Sequence, residues 1–175
     1  RASTKINPVT PLHRGVGKRK MLERFKPKSG DTKRVPVESL HEVVTAVFEK
    51  MGVPREDAIA GADVLTMTDL RGVETHGVSN MLRIYVEQYT SGQINPTPNW
   101  EIERETPGTA VINADLGLGI ILGKRARDIA IKKAKTVGVG IVTMNNAGHL
   151  GAVGHFSMHA AEQDMVGMCA TSAGS

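Results

Sequence analysis

The chain has 175 residues, 40% of them hydrophobic, 23% charged and 3% aromatic, the range of a globular domain whose core is built from aliphatic side chains. No apolar run approaches the ~20 residues of a spanning helix, so a membrane protein is excluded. A single cysteine, Cys169, excludes an internal disulfide and a cysteine zinc cage and points to a reducing compartment. The formal charge of +4 is concentrated: residues 1–28 hold nine basic side chains against Glu23 and carry +8, which leaves −4 on the rest.

That basic segment opens the chain. Residues 1–34 read as a solvated, disordered extension, because a highly charged stretch with few apolar side chains does not offset the entropy of ordering it. Nucleic-acid binding is a weaker reading, since Phe25 stands alone where base stacking needs several aromatics. The expected location is the cytoplasm, with an organelle presequence within residues 1–28 as the other reading. Met21 is an internal candidate start, which leaves residues 1–20 open to being processed or cloned sequence.

From residue 35 the pattern becomes helical, and residues 35–95 read as a helical part. Leu40, Val43, Val44, Val47, Phe48 and Met51 share one helix face. Gly52 stops that helix, and Pro54 opens a second one, with Glu56 and Asp57 in its first turn and Ala58, Ala62 and Leu65 as its buried stripe. Residues 77–91 give a third helix, carried by Val78, Met81, Leu82, Tyr85, Val86 and Tyr89 and ended by Gly92. Asn95, Pro96, Pro98 and Asn99 form a connector.

Residues 96–175 read as the start of an α/β domain. Strands are expected at 100–104, 109–113, 139–144 and 166–171, and helices at 118–136 and 152–163. On the first of these helices Lys124, Arg125, Arg127, Lys132, Lys133 and Lys135 are expected outward, with Asp128 reaching Lys132. The alternation predicts α/β architecture with a parallel layer behind an N-terminal helical part.

Two histidines occupy positions suited to chemistry. His76, in Glu74–Thr75–His76–Gly77, precedes the third helix, whose positive end disfavours a protonated ring; Thr75 is the expected N-cap. His149, in Asn146–Ala147–Gly148–His149–Leu150–Gly151, follows a buried strand and leads into a helix, where α/β folds bind ligands. Each also reads as an ordinary polar residue at a helix start or turn. His155 and His159, four apart, could share a metal ion, but no acidic residue accompanies them within that stretch and no metal is assigned. Gly117, Gly119 and Gly123 match a GxGxxxG pattern after a strand. No acid ends the next strand, so the glycines read equally as close helix packing.

Two blocks together are specific: DLRGVETHGVSNMLRIY at residues 69–85 and NNAGHLGAVGHF at residues 145–156. With ETPGTAVINADLGLG at 105–119 and KKAKTVGVGIVTM at 132–144, they resemble the type-2 malate/L-lactate dehydrogenase family from about residue 35 to the end. The resemblance implies a fold distinct from the ordinary Rossmann dehydrogenases. It implies an NAD- or NADP-dependent oxidoreductase that interconverts a 2-hydroxy acid and a 2-oxo acid, with a homodimer as the assembly. Carried onto this sequence, His76 and His149 fall on the catalytic histidines, with His149 favoured as the acid/base. Thr171, Ser172 and Ala173 fall on a segment that lies against the cofactor. Where many members have an arginine four residues after the first histidine, this chain has Asn80, which leaves Arg83 either to bind the substrate carboxylate or to make a structural ion pair. Members of the family run longer, so the chain reads as an N-terminal fragment. The alternative function is a non-catalytic remnant acting as a binding or assembly module.

Overall fold

The computed structural model describes residues 34–172. The expected disorder of the basic extension and the cofactor role of Ala173 lie outside the described residues.

Three helices lead: α1 Val37–Lys50, α2 Arg55–Leu70 and α3 Val78–Thr90, with a 3₁₀ turn Glu74–His76 between the last two. Their apolar spacing does what it predicts except at Val43, which is 59% exposed. Val44 and Phe48 of α1, Ala58, Ala62 and Leu65 of α2, and Met81, Tyr85 and Tyr89 of α3 are all buried. Phe48 sits between the two tyrosines, stacked on Tyr85 at 6.5 Å between ring centroids and edge-on to Tyr89 at 6.3 Å.

Beyond the connector come β1 Glu101–Glu105, β2 Thr109–Asn113, α4 Gly119–Val137, β3 Ile141–Asn145 and α5 Gly154–Ala161. The sheet order is β1-β2-β3, with β1 antiparallel to β2 and β2 parallel to β3 across the α4 crossover. One buried cluster spans the connector and joins Phe48, Leu65 and Tyr85 to Leu118, Ile120, Ile121 and Phe156.

Three expectations need correction. Residues 166–171 form no strand: Val166 and Met168 lie almost wholly exposed and no strand among the described residues pairs with them. The β2–β3 pairing is parallel, as the strand–helix–strand alternation predicts, while β1 pairs antiparallel around the Pro107–Gly108 turn, which is too short for a crossover. Lys133 is buried, with its ammonium donating to Glu105 Oε1 at 2.8 Å and to the Thr106 carbonyl at 2.7 Å. It stands three and four residues after Ala130 and Ile129, on the inward side of α4, and helical period overrides its charge. Asp128 bonds its neighbour Arg127 at 2.8 Å rather than Lys132.

The start of α3 also differs from expectation. The N-cap is Gly77, and Thr75 does not cap the helix. The carboxylate of Asp69, at the end of α2, accepts the Val78 N–H at 2.9 Å and closes the junction from outside. Burial raises the Asp69 pKa above the usual aspartate range, the Val78 N–H opposes that rise, and nearby Glu74 adds to it. The folded chain therefore holds the Asp69 proton more tightly than the unfolded chain does, and stability falls as pH rises from the ordinary aspartate range to the raised value. Asp69→Asn keeps an acceptor for Val78 and removes the charge. Urea unfolding at a series of pH values should show it equal to or more stable than the parent near neutrality, with a flatter slope over that window. Asp69→Ala should instead cost about 1 kcal/mol through the lost helix-start bond.

Candidate functional site

The two histidines meet. His76 ends the 3₁₀ turn and His149 lies in the loop after β3, 73 residues later, yet their rings stack at 5.5 Å between centroids with 21° between planes.

Each ring is held from behind. His76 Nδ1 is 2.9 Å from Thr75 Oγ1. The turn carrying His76 is fastened by Asn80, whose side-chain amide donates to the Glu74 carbonyl. Gly77 leaves no room for a side chain, since a Cβ there would overlap the Asp69 carboxylate. His149 Nδ1 is 2.9 Å from the Tyr85 hydroxyl on α3.

Backbone bonds fix the His149 loop against the entry of α4. Ile120 N–H donates to the His149 carbonyl at 3.1 Å, Gly148 N–H to the Gly117 carbonyl at 2.9 Å, and Leu116 N–H to the Asn146 carbonyl at 2.8 Å. Asp115 and Leu116 hold left-handed φ angles of 48° and 59°, conformations costly for side-chain-bearing residues. They persist because Asp115 is tied on several sides: its Oδ2 accepts from Asn95 Nδ2 at 3.0 Å and from the Asn99 N–H at 2.9 Å.

The GxGxxxG glycines serve this packing. A Cβ on Gly117 would meet Leu122 and Pro98, one on Gly119 would strike the Gly148 and His149 carbonyls, and one on Gly123 would press on Phe156 and Leu150. The space beside each glycine is already filled by protein, so the stretch does not fit the pyrophosphate of a dinucleotide.

Electrostatically, His149 is half-buried, and its pKa is lowered first by burial and then by the neighbouring His76. The folded state resists a proton that the unfolded chain accepts. Stability linked to His149 is thus present above the ordinary histidine range and is lost as pH falls toward the lowered value. His76→Gln should raise the His149 pKa by removing the like charge; an NMR titration of the His149 ring that stays unmoved would contradict this coupling.

The remaining expected residues stand apart. Arg83 bonds Glu87 at 3.0 Å, and both side chains are largely exposed. It lies two residues, about 200° of helix rotation, from both Met81 and Tyr85, on the face of α3 opposite the one that reaches His149. Thr171 and Ser172 are exposed at the end of the described residues. No lysine or arginine bonds either stacked histidine among the described residues.

His155 and His159 form a separate pair at 4.9 Å, in a cleft of about 360 Å³ with Asp63, Met67, Arg71 and Lys124. Burial first, then His159 and Arg127, push the His155 pKa down to about 4. Among the described residues no group of three His, Cys, Asp or Glu side chains is placed to hold a metal ion. No described helix is long and apolar enough to cross a membrane.

Tyr85, Asp69 and the Asp115–Leu116 turn were not singled out by sequence reasoning. Tyr85 read only as one more apolar position on a helix face. The clustered Asn95, Asn99, Asn113 and Asp115 were a usable signal, being residue types that satisfy backbone groups in turns.

Comparison with known proteins shows the family. The malate/L-lactate dehydrogenase family profile matches residues 35–175. The L-sulfolactate dehydrogenase of Methanocaldococcus jannaschii is 46% identical over 134 residues, covering 77% of this chain and 39% of the relative. The ureidoglycolate dehydrogenase (NAD(+)) of Escherichia coli K12 is 31% identical, covering 77% of this chain and 38% of that protein. Among solved structures, the malate dehydrogenase of Pyrococcus horikoshii superposes with a TM-score of 0.73 at 46% identity, over 75% of this chain and 37% of that one. The chain spans about two-fifths of the length of the curated relatives it matches.

Proposed function

This chain belongs to the malate/L-lactate dehydrogenase family, and we propose that it carries the proton-handling part of a site interconverting a 2-hydroxy acid and a 2-oxo acid. The observation that carries this reading is the stacked His76–His149 pair, brought together from two distant loops and braced by Thr75 and Tyr85. Reduction of an oxo acid needs a proton for the oxygen and a donor that orients it. Two imidazoles facing each other supply both.

A nicotinamide nucleotide, NAD or NADP, supplies the hydride in this reading. The NAD(+) printed in the ureidoglycolate dehydrogenase's name supports it by kinship. Thr171 and Ser172 are the proposed contacts to it, together with Ala173, and the glycine-rich entry of α4 is not. Asn80 is committed to the Glu74 carbonyl and Arg83 to Glu87, so a substrate-binding role for either requires it to leave that partner. We further propose a homodimer acting in the cytoplasm. Sedimentation that gives a clean monomer at micromolar concentration would count against the dimer.

The test is a direct assay. NADH and NADPH are each mixed with pyruvate and with oxaloacetate, and loss of the reduced nicotinamide is followed. Turnover that requires both a reduced nicotinamide and an oxo acid supports the reading. Failure of every combination, in the longest natural form of the protein, would sink it in favour of a binding or assembly role.

A further inference from the structure

The hydroxyl behind His149 decides what that histidine can do. Tyr85 is wholly buried on the inner face of α3, and its hydroxyl lies 2.9 Å from His149 Nδ1. Burial pushes the phenol pKa upward, so the group stays protonated. A buried O–H needs an acceptor, and among the described residues His149 Nδ1 is the one hydrogen-bond partner of this hydroxyl. Were Nδ1 protonated, the phenol oxygen would accept from it, and the buried phenol proton would have to turn away from the one partner it has among the described residues. Tyr85 therefore donates and Nδ1 accepts.

We propose that Tyr85 is a positioning residue that locks neutral His149 in the tautomer with its proton on Nε2, making His149 the group that orients the substrate oxygen and leaving proton exchange to His76. This rests on the dehydrogenase reading above and deepens it. The Nδ1 side of this half-buried ring is taken up by the wholly buried Tyr85, which leaves Nε2 as the ring nitrogen free for a substrate oxygen. A neutral ring that presents N–H donates a hydrogen bond to an oxo oxygen but has no lone pair there to take a proton from a hydroxy acid. Protonating His149 would require the phenol O–H to turn away and its oxygen to accept from Nδ1–H, giving up the hydrogen bond the hydroxyl donates to the neutral ring. His76, stacked across from it with Thr75 at its Nδ1, has no phenol hydrogen-bonded to it among the described residues. The strand-end position of His149 favours it as the acid/base; the Tyr85 hydroxyl reverses that assignment.

The tautomer is measurable without turnover. Long-range ¹H–¹⁵N NMR of the full chain, above the His149 pKa, distinguishes a ring nitrogen that bears a proton from one that does not. The expected spectrum has Nδ1 bare and Nε2 protonated. Tyr85→Phe removes only the hydroxyl and should lower the Nε2–H to Nδ1–H ratio about fivefold, the factor of one neutral hydrogen bond of ordinary net strength. Thr75→Val, which removes a hydroxyl bonded to His76 and not to His149, should leave that ratio unchanged. Should Tyr85→Phe fail to fold, the parent spectrum still decides. A protonated Nδ1 in the parent, or a ratio that Tyr85→Phe does not move, overturns the proposal. The functional split has its own readout: His149→Gln, which keeps an N–H donor, should retain more turnover than His76→Gln, and the opposite order overturns it. Turnover indifferent to both histidines, with the tautomer response intact, would instead overturn the dehydrogenase reading.

Discussion

Replacing His76 or His149 by alanine is expected to lower oxo-acid turnover about a hundredfold to ten-thousandfold. The size follows from what each ring supplies. One exchanges the substrate proton, the other aligns the oxygen that takes it, and neither is replaced by water held at the same geometry. The loss should fall on kcat and kcat/KM together, since both interactions strengthen as charge develops on the oxygen. Because the rings stack at 5.5 Å and work on one atom, the double variant should lose far less than the product of the two single losses. Steady-state kinetics with the preferred nicotinamide and oxo acid decide this. Near-native turnover in both single variants would remove the pair from the chemistry.

Gly119→Ala is expected to cost about 1–3 kcal/mol of stability and, separately, about a hundredfold in turnover. A Cβ at the first residue of α4 would strike the Gly148 carbonyl and come within 2.8 Å of the His149 carbonyl. Both obstacles are backbone, and that backbone is pinned by the Ile120–His149 and Gly148–Gly117 hydrogen bonds, so it does not turn aside as a flexible side chain would. The His149 loop must move as a unit, and a displacement near 1 Å is enough to spoil alignment with His76. Gly138→Ala is the informative control. Its added Cβ meets nothing within 4 Å, and its positive φ of 83° makes it strained on its own account, yet it lies at the far end of α4. It should lower the melting temperature while leaving kcat close to the parent value. Equal activity losses in the two variants would mean that Gly119 acts through global stability alone.

Chain-local periodicity made the helices legible. The spacing of Val44, Phe48, Leu65, Met81, Tyr85 and Tyr89 specifies buried faces whatever they pack against, because an α-helix repeats every 3.6 residues. The strands at 109–113 and, expected at 139–144 and found at 141–145, the one after α4 were legible for a similar reason, as short β-branched runs between turn residues. Residues 166–171, a short apolar run, have no strand beside them among the described residues, and a strand exists only by pairing. Lys133 shows the converse error. Its charge argued for solvent, while its place on the helix and a carboxylate on β1 brought it in.

The sequence by itself determined the α/β class, the three leading helices, the family resemblance and the two histidines worth watching. Each of these rests on local spacing or on residue strings that survive being read in one dimension. Tertiary structure alone decided that the histidines face each other, that Tyr85 lies behind one and Thr75 beside the other, and that the glycines of α4 make room for a loop instead of a phosphate. Those facts depend on hydrogen bonds and close contacts between segments as far apart as Tyr85 and His149. The partner of a buried hydroxyl is set by how the helices and loops pack, and no pattern along the chain encodes it.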